Sequence, residues 1–211
     1  MRLFKEELKR RNKVINIAIV GCGWWGSGIA KNLYRMSHMH PKVLVDKDIN
    51  KCIQTYIDVG VYRNQILVIE SLQDLNKVND YRHIVISDIN YLNELPKLGV
   101  DIVQEGIGEV LPSAQVALMT IENNIHFTTV SSEMDATIGL ILAKKAEVKG
   151  VVYSNTDGDQ PGCLARMLDY IINWGFEPRI VGNNKLFLDY YQTPKGCLLY
   201  TSPSPRDLST S

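Results

Sequence analysis

The sequence predicts an α/β protein built on a Rossmann-type, doubly wound parallel sheet. Short apolar runs rich in Val and Ile alternate with amphipathic stretches of helical length. The apolar runs are continuous rather than alternating, which is typical of strands buried on both faces of a sheet. Strands that alternate with helices indicate βαβ units, and right-handed crossovers then place helices on both faces.

The strands are predicted from these apolar runs and from the polar or glycine-containing segments that end them. The first run, VINIAIV, is the clearest, because Gly21 breaks it at strand length. The predicted strands are 14–20, 42–45, 66–69, 83–87, 101–104, 125–130, 151–154 and 177–181.

The helices are predicted from apolar residues at helical spacing and from residues that begin or end helices. Pro41 ends the second helix, Ser71 and Ser113 are good N-caps, and Gly150 and Gly175 are good C-terminal stops. The predicted helices are 4–13, 27–39, 50–59, 71–78, 91–98, 113–123, 135–149 and 162–174.

Composition excludes several functional classes. The 211 residues include 23 basic and 23 acidic side chains, and this neutral balance argues against a nucleic-acid or anionic-membrane partner. No apolar run approaches the ~20 residues of a transmembrane helix, and the charged start lacks the apolar segment of a secretory signal. Four cysteines without a CxxC pair, and histidines without ligand spacing, predict a cytoplasmic protein with no disulfide framework, no zinc site and no metal-ligating histidine.

A G-x-G-x-x-G motif, Gly21 to Gly26, follows the first strand and opens a helix. In a dinucleotide site, Gly21 makes the tight turn, Gly23 lets the backbone approach a pyrophosphate, and Gly26 lets the helix pack on the sheet. Asp46 ends the second strand about 20 residues after the motif, where a carboxylate binds the ribose 2′-hydroxyl. The alternative is a purely structural turn. A methyltransferase is disfavoured, because Val20 stands where its loop usually carries an acid.

Three side chains, two within this motif and one next to Asp46, have alternative roles that the sequence leaves open. Asp46 favours NAD, whereas Lys47 would admit NADP by neutralising a 2′-phosphate, or it is a solvated surface lysine. Trp24 and Trp25 occupy the x-x pair of the motif, where one indole would wall the nicotinamide pocket. The alternative for Trp25, that it packs beneath a neighbouring loop, is the more common role of an aromatic residue.

Polar segments also follow three later strands, at 105–108, 131–133 and 157–162. With the glycine motif, they make the sequence resemble the NAD(P)-binding domain of the homoserine dehydrogenase family. The resemblance extends over 14–194 and is to the homoserine-dehydrogenase-like branch, which includes SAF-domain oxidoreductases and deoxyxylulose phosphate reductoisomerase-like enzymes. The stretches that carry it are VGCGWWGSGIA, DIVQEGIG, SSEMDATIG, VVYSNTDGDQPG and GNNK.

This resemblance implies a role for each matching position. The three glycines would hold the pyrophosphate, and Asp46, together with Lys47, would hold the adenosine ribose. The strand near the cofactor would end at Ser87 and Asp88. The residues that would line the nicotinamide, its ribose or the substrate are Glu105, Gly106, Ile107, Ser131, Ser132 and Glu133.

The catalytic candidates come from the chemistry that hydride transfer needs, a proton donor or acceptor and a charge that polarises the carbonyl. Lys185 suits both roles, or is a solvated loop lysine. Asp157 and Asp159 would orient a polyol or help to hold a divalent ion through oxygen ligands, or they belong to a turn. Glu133 is the fourth candidate, or a carboxylate that merely stabilises a helix N-terminus.

These observations predict four segments: an N-terminal helix (1–13), a dinucleotide-binding Rossmann domain (14–155), the beginning of a substrate domain (156–196) and a terminal tail (197–211). The tail, CLLYTSPSPRDLSTS, resembles translated sequencing-adapter DNA. The predicted function is an NAD(P)-dependent oxidoreductase of a small polar substrate, homo-oligomeric when full length and inactive as this fragment. The alternative is a non-catalytic dinucleotide-binding module that senses redox state or supports an assembly.

Overall fold

The computed structural model of the chain describes residues 2–11, 13–156 and 162–182. The chain divides into two compact units, residues 1–155 and residues 156–211. Asp157, Asp159, Lys185 and the predicted tail at 197–211 lie outside the described residues. Within the described part of the chain, no helix is both long enough and apolar enough to cross a membrane.

The described residues of the first unit form one parallel sheet of seven strands, in the order β3-β4-β2-β1-β5-β6-β7. This confirms the predicted α/β, doubly wound fold. The strand order reverses between β1 and β5, and the crevice at such a reversal is where α/β proteins bind ligands. The strands are β1 (Ile15–Val20), β2 (Met39–Val45), β3 (Ile66–Ile69), β4 (His83–Ile86), β5 (Ile102–Glu105), β6 (His126–Thr129) and β7 (Tyr153–Asn155).

The helices that lie between these strands along the chain pack on both faces of the sheet. Alternate residues of β1 point to opposite faces: Ile19 packs with Ala30 and Tyr56 on one face, and Val20 with Val116 and Leu142 on the other. The helices of the first unit are α1 (Arg2–Arg11), α2 (Trp24–Tyr34), α3 (Ile49–Ile57), α4 (Val110–Glu122) and α5 (Ser132–Lys149), and the second unit contains α6 (Gly162–Asn173). Helix α5 ends, as predicted, at Gly150, which has φ +70°.

Several predicted elements differ from the observed ones. The predicted helices at 71–78 and 91–98 are 3₁₀ helices, Leu72–Asp80 and Ile89–Glu94, a form that is common in connections between longer elements. The predicted helix at 27–39 begins earlier, at Trp24, and ends at Tyr34. Residues 177–181 form no strand; isoleucine and valine there are exposed, so no sheet packing favours a strand.

Strand β2 begins at Met39, so Pro41 lies within a strand rather than ending a helix. Its pairing with β1 shifts at this point, because Ile17 pairs with Pro41 but Ala18 pairs with Val43. A proline is tolerated in a sheet at such a bulge, where the regular hydrogen bonding is already interrupted.

Candidate functional site

The glycine turn after β1 crosses directly against the segment that follows β5. Gly21 has φ +93° and its N–H donates to the carbonyl of Val45 at 2.7 Å. A Cβ on Gly21 would lie 2.8 Å from the carbonyl carbon and oxygen of Gly106, and 3.0 Å from the nitrogen of Ile107. Glycine is therefore required here twice, by the positive φ and by the contact between two backbones.

Gly26 and Gly23 differ in what surrounds them. A Cβ on Gly26 would overlap the carbonyl oxygen of Gly21, so this glycine allows α2 to begin close against the turn. Gly23, at the N-cap of α2, has φ −67° and open space where a Cβ would project. No side chain caps α2 at Gly23, and the N–H groups of a first helical turn have no partner within the helix. The turn therefore presents backbone donors and a helix dipole to open space, which suits an anion.

Asp46 lies beside this turn, at the carboxyl end of β2. Its Oδ2 accepts a hydrogen bond from the N–H of Cys22 at 2.7 Å, and its Oδ1 from the N–H of Asp48 at 2.9 Å. Each oxygen of a carboxylate has two acceptor positions, so each retains one. Lys47, next along the chain, is exposed. The carboxylate is thus held in a fixed orientation and can still accept hydrogen bonds from hydroxyl groups.

The two indoles of the motif are exposed at the start of α2. Trp24 is 69% exposed and Trp25 is 50% exposed, and their rings meet edge to face with centroids 5.3 Å apart. The predicted packing of Trp25 beneath a neighbouring loop is wrong, because the first turn of α2 places Gly26, not Trp25, against the sheet. These indoles are a large exposed apolar surface at the start of α2, next to the glycine turn.

Glu105, the last residue of β5, is fully buried, and its carboxylate is surrounded by donors. Its Oε1 accepts hydrogen bonds from the N–H of Ile107 at 2.5 Å, Ser113 Oγ at 2.8 Å and Ser131 Oγ at 3.1 Å. Its Oε2 accepts from Thr129 Oγ1 at 2.5 Å. One carboxylate therefore joins the loop after β5, the first turns of α4 and the end of β6.

One of the serines around this carboxylate, Ser113, occupies a different place from the one predicted. Ser113 is not the N-cap of α4, which begins at Val110 with Glu109 as its N-cap. The connection after β5 is short, so α4 starts one turn earlier and places Ser113 inside the helix, facing Glu105. Ser131 is the N-cap of α5 and is buried, whereas Ser132 and Glu133 in the first turn are exposed.

The other predicted site residues are spread along the same edge of the sheet. Gly106 and Ile107 are partly buried next to the glycine turn. Ser87 follows β4 and is partly buried, whereas Asp88 is exposed and accepts a hydrogen bond from the N–H of Asn90 at 2.9 Å. Asp88 is thus the N-cap of the 3₁₀ helix that follows.

A second carboxylate at this edge was not predicted from the sequence. Asp135, in the first turn of α5, accepts hydrogen bonds from Tyr153 Oη at 2.7 Å and from Asn155 Nδ2 at 2.8 Å. Burial of the phenol, and its hydrogen bond to this carboxylate, raise the pKa of Tyr153 above its usual value. The sequence signal is weak: Asp135 lies in SSEMDATIG, but nothing there indicates a partner on β7.

The opposite edge of the sheet carries a pair of histidines. His83 is buried at the start of β4, with its ring centroid 5.3 Å from that of His40 and 5.0 Å from that of Tyr56. Burial lowers the pKa of His83 to about 4, and the charges of His40 and Arg82 act in the same direction. In the described part of the chain, no three His, Cys, Asp or Glu side chains are grouped so as to hold a metal ion.

The sequence matches no family model and no curated protein. The fold is similar to that of a probable dehydrogenase from Thermotoga maritima (TM-score 0.56, 13% identity, covering 76% of this chain and 41% of that one). It is also similar to an oxidoreductase from Agrobacterium radiobacter in complex with NAD⁺, L-tartaric acid and magnesium (TM-score 0.55, 10% identity, covering 76% and 40%). A third similar structure is a homoserine dehydrogenase from Thiobacillus denitrificans (TM-score 0.51, 18% identity, covering 68% and 29%).

At these identities the likeness shows the fold, a Rossmann-type α/β sheet. The chain spans less than half the length of each of the three structures.

Proposed function

We propose that this chain is the dinucleotide-binding part of an NAD(P)-dependent oxidoreductase of the homoserine-dehydrogenase-like type. The observation that carries the proposal is the open space at Gly23, between a turn that Gly21 and Gly26 hold tightly and the carboxylate of Asp46. A backbone donor cluster for a diphosphate and a fixed acceptor for ribose hydroxyls are the two elements that recognise a dinucleotide.

The residues present suit each part of the cofactor. The N–H groups at the start of α2 would bind the pyrophosphate. The free acceptor positions of Asp46 would accept hydrogen bonds from the hydroxyl groups of the adenosine ribose. Asp46 favours NAD because its charge repels a 2′-phosphate, and the exposed Lys47 would offset that repulsion in NADP. When bound, the nicotinamide ring supplies or accepts the hydride. Trp24 and Trp25 would shield that half of the cofactor from water.

Two glycine substitutions test the cofactor site without confusing binding with folding. Neither Gly23→Ala nor Gly28→Ala places its methyl group within 4 Å of another group, so both variants keep the fold. Gly23→Ala fills the space next to the pyrophosphate and should weaken NADH binding by at least about tenfold, whereas Gly28→Ala should leave it unchanged. Fluorescence titration with NADH measures both. Equal NADH affinity of Gly23→Ala and the wild-type chain would refute the proposed site.

For the whole protein, we infer hydride transfer to or from a small polar substrate, sugar-derived or phosphorylated, with Lys185, Asp159, Asp157 and Glu133 as the residues that act on it. The chain spans less than half the length of the compared structures, so we expect no turnover by these 211 residues alone. Asp159→Asn and Lys185→Met in the full-length protein separate an enzyme from a non-catalytic module. Loss of turnover with retained NADH binding supports the enzyme, and unchanged turnover removes these two residues from catalysis.

A further inference from the structure

Asp135 is built into the edge of the sheet that carries the candidate cofactor site. Each of its carboxylate oxygens accepts one hydrogen bond, from Tyr153 Oη at 2.7 Å and from Asn155 Nδ2 at 2.8 Å. A Cβ on Gly139, one turn further along α5, would overlap the carboxylate and lie 3.2 Å from the hydroxyl of Tyr153. The helix therefore carries a glycine in its interior, which weakens helices, at the position where any side chain would displace Asp135.

The arrangement keeps a negative charge rather than only a hydrogen-bonding group. Asp135 is partly buried, both of its donors are neutral, and within the described residues no ion pair to it is found. Asp135 also lies in the first turn of α5, where the dipole of a helix N-terminus interacts favourably with a negative charge. A neutral hydrogen-bonding side chain would be enough to connect α5 with β7. The negative charge of Asp135 is therefore not needed for that connection and can act on a ligand bound at this edge.

The position of Asp135 relates it to one half of a bound dinucleotide, and this step rests on the proposed function. The glycine turn follows β1, and Asp46, which would bind the adenosine ribose, follows β2. The other nucleoside then extends over the opposite side of the crevice, towards β5, β6 and β7. Asp135 belongs to that side, because it follows β6 and contacts two residues of β7.

We propose that Asp135 is a fixed anion that favours the oxidised, positively charged nicotinamide ring over the neutral reduced ring. Tyr153, Asn155 and Gly139 hold it in place. The other carboxylate on this side, Glu105, is fully buried and accepts hydrogen bonds from Ile107, Ser113, Thr129 and Ser131, whereas Asp135 accepts two and is partly accessible. Fewer donors therefore compensate the charge of Asp135 than that of Glu105, and more of the Asp135 charge is left to act on a bound ligand.

Calorimetric titrations of the 211-residue chain with NAD⁺, NADH and ADP-ribose test this. Asp135→Asn keeps the shape and removes the charge, and it should weaken NAD⁺ binding relative to NADH by about three- to tenfold, the effect of one charge at a high effective dielectric. ADP-ribose, which lacks the nicotinamide, should bind unchanged. Asp135→Ser is a second neutral variant for the case in which Asp135→Asn does not fold.

Three further variants separate charge from packing. Asp135→Glu and Tyr153→Phe both disturb the hydrogen bonds and keep the charge, so their ratio of NAD⁺ to NADH affinity should stay near the wild-type ratio. Glu147→Gln removes an exposed charge near the other end of α5 and should also leave the ratio unchanged. The proposal is overturned if Asp135→Asn changes NAD⁺ and NADH affinity equally, or if Tyr153→Phe alters the ratio as much. If the wild-type chain binds none of the three ligands, the proposed function itself fails.

Discussion

The most informative perturbation of this fold is the replacement of Glu105, whose carboxylate is fully buried. Glu105→Gln keeps the volume of the side chain and replaces one acceptor oxygen with an amide NH₂. The better orientation leaves the oxygen at the Oε1 position, where Ile107 N–H, Ser113 Oγ and Ser131 Oγ donate. The NH₂ then faces Thr129 Oγ1, which already accepts a hydrogen bond from the N–H of Ser131.

These contacts set the expected loss of stability. In Glu105→Gln one donor loses its acceptor and the remaining hydrogen bonds lose their charge assistance, so the free energy of unfolding should fall by about 1.5–3 kcal/mol. Glu105→Ala leaves every donor around the carboxylate without its partner and opens a cavity, which should cost about 3–5 kcal/mol. For a chain of this size, each kcal/mol lowers the melting temperature by roughly 2–4 °C.

Urea unfolding followed by circular dichroism measures these differences. Glu109→Gln is the matched control, because Glu109 is exposed and makes no side-chain cap to α4, so its effect should stay within about 0.5 kcal/mol. The reasoning is wrong if Glu105→Gln is as stable as the wild-type chain, or if Glu105→Ala is no less stable than Glu105→Gln.

Four further predictions concern other parts of the fold. Gly26→Ala should destabilise the chain by about 1–3 kcal/mol in urea unfolding, because its methyl group overlaps a backbone oxygen, whereas Gly28→Ala should be neutral or stabilising. Tyr56→Phe should cost about 1–2 kcal/mol in the same assay, since the buried hydroxyl donates to backbone carbonyls at the β2 bulge. The pKa of His83 is lowered to about 4 in the folded chain, so between about pH 6.5 and pH 4 the unfolded chain binds a proton that the folded chain does not. The free energy of unfolding should therefore fall as the pH drops through this range. His83→Asn should flatten that pH dependence of the urea midpoint. If Lys47 neutralises the 2′-phosphate of NADP, Lys47→Ala should weaken NADPH binding about tenfold and leave NADH affinity unchanged. Unchanged NADPH affinity in this variant would show that Lys47 does not have this role.

The sheet and the glycine turn were predictable from the sequence because their signals are local. The strands β1 to β4 each contain a run of apolar residues, and the three glycines, with Asp46, lie at fixed distances along the chain. Local signals failed where the connection length decides the structure. The start of α4 shows this, because a good N-cap at Ser113 is overridden by a short loop that begins the helix at Val110.

The arrangement of the buried polar groups was not predictable in the same way. Glu105 was expected to line the nicotinamide side, but nothing in the sequence indicates that its side chain meets Ser113, Thr129 and Ser131. Those contacts depend on how β5, β6 and α4 align in three dimensions. Asp135 is similar, since its partners on β7 lie 18 and 20 residues away. Residues 157–161 and 183–211 lie outside the described part of the chain, so the expectations for Asp157, Asp159 and Lys185 stay predictions.

The contact between the turn at Gly21 and the backbone at Gly106 links two segments that are far apart in the sequence. Neither segment can change its path alone, because the space between them has no room for a methyl group. Recombination or loop grafting that exchanges one segment without the other should therefore give poorly folded chimaeras, even when every strand keeps its own sequence. Chimaeras of this fold should inherit the two segments from the same parent.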